Sequence, residues 1–202
     1  MKSQTVTCLT AMILFAALAI PVRMAAQGQT THFRHYKLVD VGTFGGPASF
    51  INPVFNSVPA LNSHGTTVGW SATPTPSTST SNGFACGGPN GVVPNVFHAF
   101  ELQNGAVTDL SSLAPASHNC SVAGSVNARG EIAGTSEIDE LDPVIGIKEV
   151  RAVLWRQREI MNLGTLGGAQ SGSGGPSGAI NNRGQVVGIA LNAVPDPFSM
   201  YD

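Results

Sequence analysis

Three times along the chain a small residue and an apolar one give way to Asn-x-x-Gly, and a second short stretch with apolar residues follows that ends on glycine. The copies are Ala60-Leu61-Asn62-Ser63-His64-Gly65-Thr66-Thr67-Val68-Gly69, Ser125-Val126-Asn127-Ala128-Arg129-Gly130-Glu131-Ile132-Ala133-Gly134 and Ala179-Ile180-Asn181-Asn182-Arg183-Gly184-Gln185-Val186-Val187-Gly188. Asn at the first turn position caps the turn, and Gly three residues on tolerates positive φ, so each copy reads as a hairpin with a type I turn and a left-handed glycine. A second hairpin accompanies the first. His98-Ala99-Phe100-Glu101-Leu102 returns through Gln103-Asn104-Gly105 to 106–110, and Arg151-Ala152-Val153-Leu154-Trp155 returns through Arg156-Gln157-Arg158 to 159–163, at an offset of 53.

Four short strands in about 53 residues suggest one blade of a propeller. The expected fold class is all-β, a β-propeller-like array of four-stranded blades that is incomplete in this chain. A strand at 36–41, a blade at 59–110, a blade at 122–163 and a half blade at 178–191 make eleven strands in a single β-repeat domain over 36–202. Insertions break the period at 71–94, with its polar Thr-Pro-Ser tract, and at 137–149. Asp40-Val41-Gly42-Thr43-Phe44-Gly45-Gly46 matches Asn162-Leu163-Gly164-Thr165-Leu166-Gly167-Gly168 at an offset of 122, so the first copy starts partway through a unit. The middle copy reads there as a degenerate Ser111-Ser112-Leu113-Ala114-Pro115. Ring closure by strand 36–41 joining 178–191, a β-solenoid and a stacked-sheet sandwich all remain open on this pattern.

Gly-Thr-Leu-Gly-Gly at 164–168, Ile-Asn-Asn-Arg-Gly-Gln-Val-Val-Gly at 180–188, Ala-Val-Leu-Trp at 152–155 and His98-Ala99-Phe100 together resemble the HAF family of extracellular repeat proteins, over nearly all of the chain after residue 35. The resemblance implies an exported bacterial β-repeat protein, and it brings no catalytic residues with it.

The N-terminal residues predict export. Lys2, an apolar run from Cys8 to Val22 and small residues at Ala25-Ala26 read as a Sec signal peptide over 1–26, followed by an N-terminal lead at 27–35. The run is short for a membrane span, and nothing later is long enough. Without Lys2 and Arg23, 8 basic residues face 12 acidic ones, which argues against nucleic acid as a partner. Cys8 leaves with the leader, so Cys86 and Cys120 are the remaining pair. An oxidising compartment favours their disulfide over two thiols.

Candidate chemistry is thin. Glu137-Ile138-Asp139-Glu140-Leu141-Asp142 offers oxygens of the kind Ca²⁺ takes, but it lacks the ligand ladder and central Gly of an EF-hand and reads as a solvated acidic loop. His32 and His35 form a weak metal pair at best, and His64, His98 and His118 lie in different units. No Gly-x-Ser-x-Gly elbow occurs. The glycine-rich run 167–175 lacks the Gly-Lys-Ser/Thr of a phosphate loop. Asn119-Cys120-Ser121 is a formal glycosylation sequon of little weight in a bacterial protein. Trp70, Phe100 and Trp155 at strand spacing read as core, with carbohydrate stacking as the minor alternative.

The sequence therefore predicts no catalytic, cofactor or metal residues. Asn62, Gly65, Asn127, Gly130, Asn181 and Gly184 are expected as structural turn residues. The expected role is that of an extracellular, periplasmic or cell-surface non-enzymatic module, a loop-presenting scaffold either for binding an extracellular ligand, protein or carbohydrate, or for surface structure. The alternative is an accessory propeller of a larger polysaccharide-active enzyme whose catalytic part lies elsewhere.

Overall fold

The structure, a computed structural model, describes residues 37–51, 60–77, 94–114, 118–144, 146–173 and 179–194. Contacts divide the chain into Met1–Val39 and Asp40–Asp202. Of the first unit only residues 37–39 are described, and they are exposed. The second is all-β, with ten strands and no helix among the described residues.

Valine, isoleucine and aromatic residues mark Thr67–Pro76, Asn95–Gln103, Ile132–Leu141 and Lys148–Arg156, whereas Gly167–Ser173 reads Gly-Gly-Ala-Gln-Ser-Gly-Ser, and the strands form three antiparallel sheets. The first runs in the order β1 (Ser49–Ile51), β2 (Thr67–Pro76), β3 (Asn95–Gln103), β4 (Ala106–Asp109). The second repeats it with β5 (Ser121–Val126), β6 (Ile132–Leu141), β7 (Lys148–Arg156) and β8 (Glu159–Asn162). The third pairs β9 (Gly167–Ser173) with β10 (Gly188–Asn192).

Register shows the three sheets to be copies. Ser49, Ser121 and Ser171 face Ser71, Ser136 and Ala190, and two residues on, Ile51, Ala123 and Ser173 face Gly69, Gly134 and Gly188. The first strand of every copy is interrupted at the same point. Gly124 alone forms a bulge there in the second copy. Residues 52–59 and 174–178, which lie outside the described residues, intervene in the other two before Leu61 and Ile180 resume pairing with Thr67 and Val186.

Three boundaries differ from the sequence reading. No strand forms over 37–41: Leu38 is 95% exposed, and Gly42 N–H turns back onto Asp40 Oδ1 at 2.9 Å. Its counterpart β8 is a strand because β7 lies beside it, whereas no described strand flanks 37–41. The first insertion begins later than expected, since Ser71–Pro76 continues β2 and Pro76 still pairs with Asn95. The second insertion is no solvated loop. Residues 137–141 extend β6 and 148–149 extend β7, with Leu141 paired to Lys148, and Glu137 and Asp142 are 1% and 2% exposed.

Each sheet buries a face against the next. Val68, Ala99 and Leu110 of the first copy pack on Ala123, Val126, Ile132, Val153 and Trp155 of the second, and Ala133 and Leu154 pack on Ala179 and Ile180 of the third. Trp155 is 1% exposed and donates its indole N–H to Leu110 O at 2.9 Å. Gly134 makes room for it, because a Cβ there would meet Val122 O and lie 2.7 Å from Trp155 Cζ3. In the first copy Phe100 covers the equivalent Gly69. The two aromatics stand two places apart in the repeat yet fill the same space.

Hydroxyls seam the sheets together. Ser121 Oγ accepts from Ala99 N at 2.9 Å and donates to Ser111 O at 2.7 Å; Ser171 Oγ accepts from Ala152 N at 3.0 Å and donates to Gly164 O at 2.6 Å. Ser111 occupies the place of Gly42 and Gly164 and holds the same left-handed backbone, φ 59° against 66° and 77°. The middle copy is degenerate in sequence but not in conformation.

Candidate functional site

The three Asn-x-x-Gly turns share one geometry. In each, Asn Oδ1 accepts the N–H groups two and four residues on: His64 and Thr66, Arg129 and Glu131, Arg183 and Gln185, all at 2.9–3.1 Å. The glycine N–H returns to the Asn carbonyl, and Gly65, Gly130 and Gly184 take φ of 81°, 75° and 78°. A short amide accepts those two N–H groups on its oxygen and keeps a separate nitrogen free to donate away from the turn.

That spare donor links the copies. Asn62 Nδ2 donates to Asn127 O at 2.9 Å, and Asn127 Nδ2 donates to Asn181 O at 3.0 Å. Ala128 N adds a bond to Asn182 Oδ1 at 2.9 Å. The turns therefore form a row, with His64, Arg129 and Arg183 exposed at the same position of successive members.

Charge concentrates on this row. Glu131, 6% exposed, takes Arg129 Nη2 on Oε2 at 2.6 Å and Arg156 Nη2 on Oε1 at 2.7 Å, and Asn127 Nδ2 also donates to Oε2 at 2.6 Å. Burial alone would push the Glu131 carboxyl up, but the hydrogen bonds from Arg129 and Asn127 and the charges of Arg129 and Arg156 outweigh it and hold the group below its ordinary value. Arg129 rests on the bare face of Gly184, where a Cβ would lie 2.5 Å from its Nη2 and 3.6 Å from that of Arg156. The repeat pattern in the sequence does not announce this network. The available signal was Glu131 two places after Arg129.

Elsewhere the expected candidates disperse. Glu137 Oε2 accepts Cys120 N at 3.0 Å, Asp142 Oδ2 accepts Gln170 Nε2 at 3.1 Å and Asp139 Oδ1 accepts Asn119 Nδ2 at 2.9 Å, so these carboxylates serve the hairpin and its neighbours. No group of three or more His, Cys, Asp or Glu able to hold a metal occurs among the described residues. Cys120 is fully buried and disulfide-bonded, with its partner outside the described residues, as Cys86 is. His32 and His35 also fall outside them.

One alignment was invisible in the sequence: Ser71 stands opposite His98, whose Nδ1 lies 2.8 Å from Asp109 Oδ2. The order is that of a hydrolytic triad, but Ser71 is 1% exposed and its Oγ accepts from Phe44 N at 3.0 Å and meets Ser49 Oγ at 2.9 Å. The second copy carries Ser136 opposite Arg151 at the same register, which marks a structural position. No family model, curated protein or solved structure matches the chain.

Proposed function

We propose that this is an exported, non-enzymatic repeat module of the HAF type, in which a propeller-like array of sheets presents its turns to an extracellular ligand. The observation that carries the reading is the row of three linked Asn-x-x-Gly turns, which gives a rigid base to side chains that differ from copy to copy. Fixed scaffold with variable turn residues is the common design of binding proteins. Export rests on the leader-like residues 1–26, and an oxidising compartment agrees with the disulfide-bonded Cys120. Cys86 is its proposed partner. Secretion of the full chain followed by N-terminal sequencing and a screen against immobilised polysaccharides and surface proteins tests the proposal. A mature chain starting near Gln27 with saturable binding supports it, and an unprocessed chain in the cytoplasm contradicts it.

A second reading, as an accessory module within a larger extracellular enzyme, is favoured by the third sheet. Val187, just before β10, is 63% exposed where the equivalent Val68 and Ala133 are fully buried, and with Ile189, 64% exposed, it offers apolar surface for further polypeptide to cover.

A further inference from the structure

The strands of the second sheet run between ends of opposite charge. At the turn end stand Arg129, Arg156 and Arg158, joined by Arg183 from the third copy, against the carboxylates of Glu131 and Glu159. At the other end Glu137, Asp139, Glu140, Asp142 and Glu149 outnumber Lys148 and Arg151. Such an asymmetry in a chain of net charge −2 localises what positive potential the module has.

The arginines at the turn end are not used up by structure. Glu131 is the acceptor for both Arg129 and Arg156, whose side chains remain 51% and 48% exposed, and Arg158 and Arg183 are exposed without an ion pair among the described residues. Exposed amides of Asn181, Asn182 and Gln185 lie beside them. Guanidinium groups match carboxylate and sulfate oxygens with paired N–H donors, and amides suit hydroxyls. Arg129 and Arg156 lie together on the Glu131 carboxylate, and Arg158 and Arg183 stand on neighbouring turns of the second and third copies. We infer that the turn end binds an extended anionic polysaccharide, with Arg129, Arg156, Arg158 and Arg183 on its acidic groups and the amides on its hydroxyls. The inference rests on the binding-module reading and names its ligand class. Nucleic acid is disfavoured because Trp155 is buried and, among the described residues, His64 is the one ring that the row of turns exposes, too little to stack successive bases.

Calorimetric titration of the full chain with polygalacturonate, dextran sulfate, neutral dextran and duplex DNA at low salt tests it. The expected result is binding to one or both acidic glycans, weakening as salt rises. The double variant R158Q/R183Q, which touches no buried carboxylate and whose folding is checked by thermal melting, should bind roughly tenfold more weakly. A carboxylated or a sulfated ligand is distinguished by which polymer binds. Failure of both acidic glycans to bind, or DNA binding as tightly as either, overturns the inference. Binding to any glycan that the double variant leaves unchanged also overturns this site while leaving the binding-module reading intact.

Discussion

Asn62 donates its side-chain amide to the backbone carbonyl of Asn127 at 2.9 Å, and Asn127 makes the same bond to Asn181 at 3.0 Å. A turn that caps itself needs only the Asn oxygen. Use of the nitrogen ties one copy to the next, so the residue is required twice over, for local conformation and for stacking.

Asn127 should be the most costly of the three to replace. It is 3% exposed, and its removal takes the side-chain acceptor from Arg129 N and Glu131 N, the amide donor from Asn181 O, and one of the donors from Glu131 Oε2. N127A should lose about 2–4 kcal/mol, since buried groups left unpaired cost about 1–3 kcal/mol. N181A, at an exposed turn whose amide nitrogen goes to Gln185 Oε1 within the same turn, should lose about 1 kcal/mol, the usual cost of a lost cap. Urea denaturation of both variants makes the comparison.

Gly184 and Gly130 separate backbone strain from crowding. Both have positive φ, but nothing lies within 4 Å of a Cβ on Gly130, whereas one on Gly184 would press on Arg129. G130A should cost about 1–2 kcal/mol from the left-handed backbone alone. G184A should cost more and should also disturb the Arg129–Glu131 pair, visible as a raised Glu131 pKa by NMR titration.

Ser111 offers the reverse case. Its φ of 59° is one that glycine holds in the other two copies. S111G removes strain but adds freedom to the unfolded chain, so a net gain of roughly 0.5 kcal/mol is expected. Thermal melting should show a higher midpoint. A fall would mean that the Ser111 side chain contributes more than its backbone costs.

Acid should weaken the turn row through Glu131. Because the folded carboxyl titrates below its unfolded value, its contribution is fully present above the unfolded pKa, near 4.3, and is lost as pH falls through the folded pKa. In E131Q that part of the pH dependence should vanish, leaving a flatter stability curve below about pH 4.3. Denaturation series at stepped pH for both proteins read out the difference.

The repeat, the all-β class and the Asn and Gly turn positions were legible because each rests on a local requirement that a few residue types satisfy. The four strands of the second sheet follow from alternating apolar residues in the same way. What escaped was set by partners distant in sequence. Lys37–Val41 has the residues of a strand but no described neighbour to pair with, and Glu137–Leu141 has the residues of a loop but is held in β6 by pairing with β7 and by burial of Glu137. Arg129 looked interchangeable with His64 and Arg183 until Glu131 and Arg156 were found beside it. Ser111 concealed a preserved turn because a dihedral angle leaves no mark on composition.

Coupling between copies is the central claim, and unfolding read through Trp155 tests it most directly. In a W70F background Trp155 is the remaining indole and reports on the second sheet, whereas Asn62 belongs to the first copy. N62A should shift the Trp155 urea midpoint downward by the equivalent of about 1–2 kcal/mol, with a single transition, while S63A, at an exposed position of the same turn, should shift it by less than half as much. A Trp155 transition unmoved by N62A would mean that the copies fold independently, and the linked row of turns would lose its role as the scaffold of the binding surface.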